Sequence, residues 1–190
     1  MENHSQNIIR TSDEFTLYAR KRAWMVAVGF ALWGLALAVM PQTEWQQSWP
    51  LIVFYAALIL NSFFSVRVFA SITPPRHIGQ QFFDILLGLC LAFLPLNFGS
   101  PLNFILLATI LFTIAALKYI FLIPLIGFSQ LLYKKIRIDS LGILLCLLAL
   151  TGFLWGYAKL SSVLFALIFL LANAHVLWLR PLYLLKTRHE

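Results

Sequence analysis

Charged side chains inside long apolar stretches are the residues of this chain whose chemistry is most informative. Asp84 lies near the start of one such stretch, Lys118 within another, and Arg67 near the end of a third. Ionisable groups inside a bilayer are rare and commonly mark ion or proton pathways. A carboxylate at that depth needs a cationic partner, which Arg67 or Lys118 would supply. Asp84 is then either a relay for protons or ions or, as we favour, part of a structural ion pair. That pair would fix the helices of the second, third and fourth apolar stretches, 50–69, 82–98 and 102–121.

Lys118 has two interpretations, which differ in where its ammonium group lies. A lysine in the interior of the bundle would mark a transport site. We favour a lysine at the cytoplasmic boundary, which buries its aliphatic stem and keeps its ammonium group in water. The segment 119–133 then becomes an interfacial or cytoplasmic continuation that is broken near Pro124 and Gly127.

Three uncharged polar side chains also fall within apolar stretches. Asn61 lies in the second stretch, and Asn173 and His175 lie in the sixth. Such groups commonly form hydrogen bonds between helices, worth about 0.6 kcal/mol each, and His175 could act as a pH-sensitive group. A b-type haem would need two buried histidines at matching depth. The other histidines lie near the termini or the interface, so haem is not predicted: His4, His77 and His189.

Motifs of soluble enzymes are absent from the sequence. It contains no phosphate-cradling glycine loop, no nucleophile elbow and no HExxH or CxxC motif. Cys90 and Cys146 are too few and too isolated for a disulfide framework or a zinc site. We therefore predict no catalytic residues, no cofactor and no metal, and a protein that is not an enzyme.

Composition places the polar residues in a membrane protein. Of the 190 residues, 61% are hydrophobic and 11% are charged, and the mean hydropathy is +0.86. A soluble domain has about 45–50% apolar and about 25% charged residues. So few charges cannot coat a water-facing surface, and so much hydrophobicity excludes a disordered chain. The partner predicted first is the lipid bilayer, and the net charge of +7 is assigned to topology and not to nucleic acid.

Six apolar stretches must position these side chains, and each is near the roughly 20 residues that a helix needs to cross a bilayer. Strands of a barrel would alternate polar and apolar residues, whereas these runs are continuous. The first stretch is interpreted as a retained helix and not as a cleaved signal. Asp139 is predicted to cap the start of the helix in the fifth stretch. The stretches are 23–40, 50–69, 82–98, 102–121, 141–157 and 163–184.

Lysine and arginine placement predicts the orientation, because cytoplasmic loops retain positive charge. Twelve of the fourteen basic residues fall at one set of helix ends, and only Lys159 falls at the other, with Lys118 counted separately. Both termini are therefore expected in the cytoplasm. In the leader, Thr11–Glu14 fits a capping box and predicts a short juxtamembrane helix.

Spacing indicates an internal repeat of helical hairpins. Seventeen residues separate a residue at the start of each even-numbered helix from a basic residue: Pro50 from Arg67, Pro101 from Lys118, and Val163 from Arg180. The predicted fold is an all-α polytopic membrane protein with six transmembrane helices in three tandem hairpins. The predicted parts are a cytoplasmic leader at 1–22, a membrane domain at 23–184 with hairpins 23–69, 82–121 and 139–184, and a cytoplasmic tail at 185–190.

Glycines in the odd-numbered helices predict close helix packing, since small residues spaced four apart let backbones approach in lipid. We expect the odd helices to form the tight interior and the even helices to lie further out. The glycines expected at packing surfaces are Gly34, Gly88, Gly142, Gly152 and Gly156.

Three hairpins in about 190 residues after a basic leader resemble the HdeD family of bacterial membrane proteins. The carrying residues are Lys21–Trp24, Gly34 with Met40-Pro41, and Gly88, Pro101 and Lys118 of the second hairpin. The resemblance implies an inner-membrane protein linked to acid stress, without a known catalytic site.

Three functions follow as hypotheses. The first is a non-enzymatic HdeD-like protein, in stress protection or as an accessory subunit that binds other membrane subunits or a second copy. The second is a small transporter or channel with a polar path through Asp84, Asn173 and His175. The third, less favoured, is a lipid-modifying enzyme with its site at the cytoplasmic interface.

Overall fold

The computed structural model describes residues 2–40, 45–73, 77–127 and 129–179, and over these residues the protein is all-helical. All six main helices contain a segment long and apolar enough to cross a membrane, which confirms the predicted fold class. A 3-10 turn, Pro95–Asn97, follows the third helix, and a π turn, His175–Leu179, follows the sixth. The helices are α1 (Glu2–Ala38), α2 (Trp45–Ile72), α3 (Ile78–Phe93), α4 (Pro101–Ile126), α5 (Gln130–Leu154) and α6 (Ala158–Ala174).

Two helices differ from the sequence prediction in where they begin. α1 is continuous through the leader and the first apolar stretch, so the juxtamembrane helix and helix 1 are one element. α5 begins at Gln130 because the Ser129 hydroxyl caps it, accepting a hydrogen bond from the Leu132 amide. The predicted break at Gly127 is present, with φ at +79°, while Pro124 lies within the last turn of α4. Residues 119–126 therefore belong to the last turns of α4, and residues 130–133 belong to the first turn of α5.

The six helices pack in the order α1, α2, α6, α5, α4 and α3, and two of them, α2 and α4, are the most buried. α1 packs on α2, α2 on α6, α6 on α5, α5 on α4 and α4 on α3, and α2 also touches α4 across the middle. Helices paired in each predicted hairpin do pack together. The contact between α4 and α5 is nevertheless the most extensive, so the second and third hairpins are joined along their length.

The centre of the bundle corrects the expectation drawn from glycine. About half of the membrane segment is buried in α2 and in α4, against 22–28% in the other four helices. The glycines of odd helices instead receive aromatic rings from the central even helices. A Cβ on Gly142 would lie 2.8 Å from the Phe112 ring, and one on Gly34 would overlap the Tyr55 ring. In both contacts the glycine belongs to an outer helix, and the aromatic ring that fills the space beside it belongs to a central helix.

The other predicted packing glycines divide in the same way. Gly152 lies directly against Ser161 of α6, as expected for a close helix approach. A Cβ on Gly88 would meet no atom within 4 Å, so the contact expected there is not made. Gly156 lies outside α5, in the turn to α6, where its φ of +83° favours glycine. The predicted packing role is therefore wrong for Gly88 and Gly156.

An aromatic cluster fills the half of the bundle away from the basic helix ends. The Phe54 ring of α2 lies 4.3 Å from Phe165 and 4.2 Å from Phe169 of α6, measured between ring centroids. It also meets Phe104 of α4 edge-on at 5.7 Å. Because lipid offers no hydrophobic drive for helix association, such van der Waals packing must hold the helices together.

Candidate functional site

A cavity of about 160 Å³ lies inside the bundle, in the half that contains Arg22, Lys118 and Lys135. We call the end of the bundle at which these basic residues lie the basic end. Residues of α1, α2, α3 and α4 form the walls, and α5 contributes Lys135 and Asp139. The volume is many times the roughly 10–15 Å³ that one water requires. An internal space with charged walls is therefore available in a protein that is otherwise apolar.

Asp84 joins three helices at one wall of this cavity. Its Oδ1 accepts a hydrogen bond from the Lys118 ammonium at 2.6 Å, and its Oδ2 accepts one from the Arg22 guanidinium at 2.8 Å. The Asp84 side chain is 26% exposed and that of Arg22 is 36% exposed. The ion pair thus connects α1, α3 and α4, and not helices 2, 3 and 4 as predicted.

Of the two predicted partners of Asp84, the structure brings only Lys118 to the carboxylate. Arg67 is exposed on α2 and does not contact Asp84. Arg22 was missed because, in the sequence, it belongs to a run of basic residues that serves equally well to set topology. Its position one residue before the first apolar stretch, at the depth of Asp84, is the signal that would have found it.

The expectation that Lys118 snorkels to water is wrong. α4 continues for eight residues past Lys118 to Ile126, a rise of about 12 Å. The lysine side chain is only 10% exposed, and its ammonium group points to Asp84 across the cavity wall. The Lys118 side chain therefore lies inside the bundle, with its ammonium group paired to a carboxylate.

A second ion pair is more completely buried than the first and was not predicted. The Lys135 ammonium donates to Asp139 Oδ1 at 2.6 Å, and the two side chains are 5% and 1% exposed. Asp139 cannot cap α5, because the helix begins nine residues earlier. The two residues are four apart on one helix, the spacing at which opposite charges meet. The spacing of Lys135 and Asp139 could have predicted this ion pair, but Lys135 was assigned to the loop before the fifth stretch and not to the helix.

Tyr119 lies between the two ion pairs. Its ring centroid is 5.6 Å from the Lys118 nitrogen and 5.4 Å from the Lys135 nitrogen, within the range of cation–π attraction. The Tyr119 hydroxyl is 2.7 Å from the hydroxyl of Ser65 on α2, and the two share a hydrogen bond. One tyrosine therefore connects α2, α4 and α5 around the charged cluster.

Among the residues that the structure describes, two buried side-chain oxygens of residues lining the cavity lack hydrogen-bond partners. They are Oε1 of Gln80 on α3 and Oδ2 of Asp139 on α5, and both residues are at most 3% exposed. An unsatisfied buried acceptor costs about 1–3 kcal/mol. Such atoms are normally paired with water or a ligand when they face a cavity. The residues that carry these oxygens line the cavity, but the oxygens themselves are covered, so a molecule in the cavity would meet them only after the side chain turns.

Away from the basic end, the cavity wall becomes apolar and then closes. Phe30, Leu58, Leu91 and Leu111 line this part. Beyond it, the Tyr55 hydroxyl lies 3.2 Å from the carbonyl of Phe30 on α1 and 3.1 Å from that of Leu91 on α3. The hydroxyl ties α2 to both neighbours and closes the cavity toward the aromatic cluster.

The predicted path through the sixth helix is not formed. His175 is exposed at the π turn, and Asn173 is buried but donates to the Phe169 carbonyl of its own helix. Neither residue lines the cavity, whereas Asn61 of α2 does. Within the described ranges 2–40, 45–73, 77–127 and 129–179, no group of three His, Cys, Asp or Glu side chains is placed to hold a metal ion.

Fold and site together define a multi-pass membrane protein with a charged internal cavity. A scan against protein-family models, a search of curated proteins and a search of solved structures each found no match to this chain.

Proposed function

We propose that the protein is a small carrier that binds a polar or amphipathic ligand in the internal cavity and moves it across the membrane. The observation that supports this most strongly is the cluster of five charged side chains, with two unpartnered acceptors, on the wall of the cavity. Replacing a buried ion pair by packed apolar residues is often neutral or stabilising. A cluster of this kind is therefore poorly explained by stability alone, and intramembrane charge commonly marks a transport path.

A carrier explains the closure of the cavity better than a channel does. The polar lining ends at Tyr55, and the fully buried rings of Phe54 and Phe104 fill the bundle beyond it. A channel needs a continuous path, whereas a carrier opens to one side at a time. In this proposal the structure corresponds to the state that is open toward the basic end.

The proposed location is the bacterial inner membrane, with both termini and the basic end of the bundle in the cytoplasm. Support comes from the positive-inside rule, since twelve of fourteen basic residues belong to that side by sequence. The cavity would then accept or release its ligand on the cytoplasmic side.

Thiol accessibility tests the carrier proposal without knowledge of the ligand. Ser65 on the cavity wall is changed to cysteine in a chain lacking the two native cysteines, Cys90→Ala and Cys146→Ala, which are both buried. Sealed vesicles of either orientation are treated with a membrane-impermeant maleimide. Ser162→Cys is the matched control, because Ser162 is also buried but lies at the opposite end and does not line the cavity.

The expected result is that Ser65→Cys reacts from both sides, faster from the side of the basic end, while Ser162→Cys stays unreactive. Labelling of Ser65→Cys from one side only, under all conditions, would contradict a carrier. Reaction of both cysteines at equal rates would indicate loosened packing and not a path.

A non-enzymatic HdeD-like role, in acid protection or as an accessory subunit, stays a prediction from the sequence resemblance. It is tested by purification from native membranes in a gentle detergent. Copurification with a larger complex would support the accessory role, and a clean monomer or homo-oligomer would count against it.

A further inference from the structure

We infer that the cavity binds an anionic phospholipid whose head group carries hydroxyl groups, with phosphatidylglycerol as the simplest example, and that the lipid enters sideways between α1 and α3. This inference rests on the proposed function in one respect only, since it names the ligand of the same cavity. Its evidence consists of the charge of the site, its unpartnered acceptors and the thin wall on its lipid-facing side.

The charge of the cluster selects an anion. Arg22, Lys118 and Lys135 carry three positive charges, and Asp84 and Asp139 carry two negative charges, which leaves one positive charge in excess. Arg22 and Lys118 donate to the same carboxylate, so their nitrogens converge on one point of the wall. A phosphodiester carries one negative charge and only acceptor oxygens, which matches this surplus of charge and of donors. Basic pockets between membrane helices are a known type of anionic-lipid site.

The unpartnered acceptors favour a head group that carries hydrogen-bond donors beside its phosphate. Gln80 Oε1 and the carboxylate oxygen Asp139 Oδ2 are acceptors without a partner, and they belong to residues that line the cavity, so a turn of either side chain presents its oxygen to a bound head group. A choline head group has no hydrogen-bond donor, and an ethanolamine head group cancels the phosphate charge. A glycerol head group supplies two hydroxyl donors and leaves the lipid with one negative charge. Charge and donor count together therefore favour phosphatidylglycerol over both zwitterionic phospholipids.

The wall between the cavity and the lipid is thin where α1 faces α3. Val26 and Phe30 of α1 line the cavity on one side and a groove on the outer surface on the other. The groove continues over Gly29, which has no neighbouring atom within 4 Å of a Cβ position. α1 and α3 are tied by the Arg22–Asp84 ion pair near the basic end and by a hydrogen bond from the Trp33 indole to the Ala92 carbonyl further along. Between these two ties, Gly88 of α3 leaves open space, since a Cβ there would meet no atom within 4 Å. An acyl chain can lie in this groove while the head group reaches the charged cluster.

Native mass spectrometry of the delipidated full chain tests the inference. The probes are phosphatidylglycerol, phosphatidylethanolamine and phosphatidylcholine with identical acyl chains, and glycerophosphoglycerol, the deacylated phosphodiester of phosphatidylglycerol, as the water-soluble source of the same head-group chemistry. We expect phosphatidylglycerol to bind about tenfold or more tightly than either zwitterionic lipid, the effect of one charge-assisted hydrogen bond. Equal binding of the three lipids would overturn the inference. Binding of glycerophosphoglycerol as tight as that of the lipid would overturn the lateral lipid route.

Two variants locate the binding site. Arg22→Gln should weaken phosphatidylglycerol binding about tenfold, while Arg20→Gln, an exposed arginine of the same helix turn, should leave it unchanged. Gly88→Leu fills the cavity without changing any charge and should abolish binding while the helical content and melting temperature are kept. Equal loss in both arginine variants would place the lipid on the surface and refute the site.

The two proposals fail separately. Selective lipid binding with Ser65→Cys labelled from one side only would leave a static lipid site and reject the carrier. Labelling from both sides without lipid selectivity would retain the carrier and reject the phospholipid as its ligand.

Discussion

The buried pair Lys135–Asp139 gives the sharpest prediction about stability. Its side chains are 5% and 1% exposed, and the ammonium nitrogen is 2.6 Å from the carboxylate oxygen. Removing one member leaves the other as an uncompensated buried charge, which costs about 3–5 kcal/mol. We therefore expect Asp139→Leu and Lys135→Met each to lower the free energy of unfolding by about that amount.

The double variant Lys135→Met/Asp139→Leu should behave differently from the sum of its parts. Two apolar side chains of similar volume replace the pair without leaving a charge, a change that is often neutral or stabilising. The free energy of unfolding should thus return to within about 1 kcal/mol of the wild type or rise above it. The coupling between the two sites would then exceed the range seen for exposed pairs, about 0.2–1 kcal/mol.

Equilibrium unfolding in detergent, followed by circular dichroism, measures these differences. Lys134→Met is the matched control, because Lys134 is the neighbouring lysine and is exposed; its effect should be within about 0.5 kcal/mol. Additive losses in the double variant would refute the reasoning, since they would mean that the two charges do not compensate each other. A stable double variant that no longer binds phosphatidylglycerol would show that the pair is kept for its ligand.

Three further predictions concern the cavity and its surroundings. Gly142→Ala should lower the free energy of unfolding by about 1–3 kcal/mol, because its Cβ would lie 2.8 Å from a phenylalanine ring of α4. Gly88→Ala should be neutral or stabilising by up to about 1 kcal/mol, because a Cβ there meets no atom within 4 Å. Melting curves compare the two variants. Tyr55→Phe should cost about 1 kcal/mol and increase labelling of cavity cysteines from the far side, because it removes the hydroxyl that ties α2 to α1 and α3; unchanged labelling would contradict a role in closure. Asp84→Asn should lower the melting temperature, and adding Lys118→Met should restore part of the loss if the ion pair contributes to stability.

The number of helices and the chemistry of the site were open to prediction from sequence to different degrees. Six continuous apolar runs define six spans, because a backbone in lipid must satisfy its own hydrogen bonds. The need of Asp84 for a cationic partner also followed, since a lone carboxylate is costly at that depth. The choice between Arg67 and Lys118 did not, because both lie at a similar depth and only the rotation of α2 and α4 separates them.

Helix order and helix rotation were decided only by the tertiary structure. Membrane helices are apolar on nearly every face, so hydropathy does not say which face points inward or which helix is central. Glycine spacing pointed to the odd helices, whereas complementary packing of glycine against aromatic rings places α2 and α4 inside. The same packing brings Arg22, Asp84 and Lys118 from three helices to one wall and sets Lys135 and Asp139 beside them. The sequence by itself therefore determined the membrane spans and the basic helix ends. The charged cavity exists only because specific side-chain packing brings Arg22, Asp84 and Lys118, from three helices, beside the Lys135–Asp139 pair of a fourth.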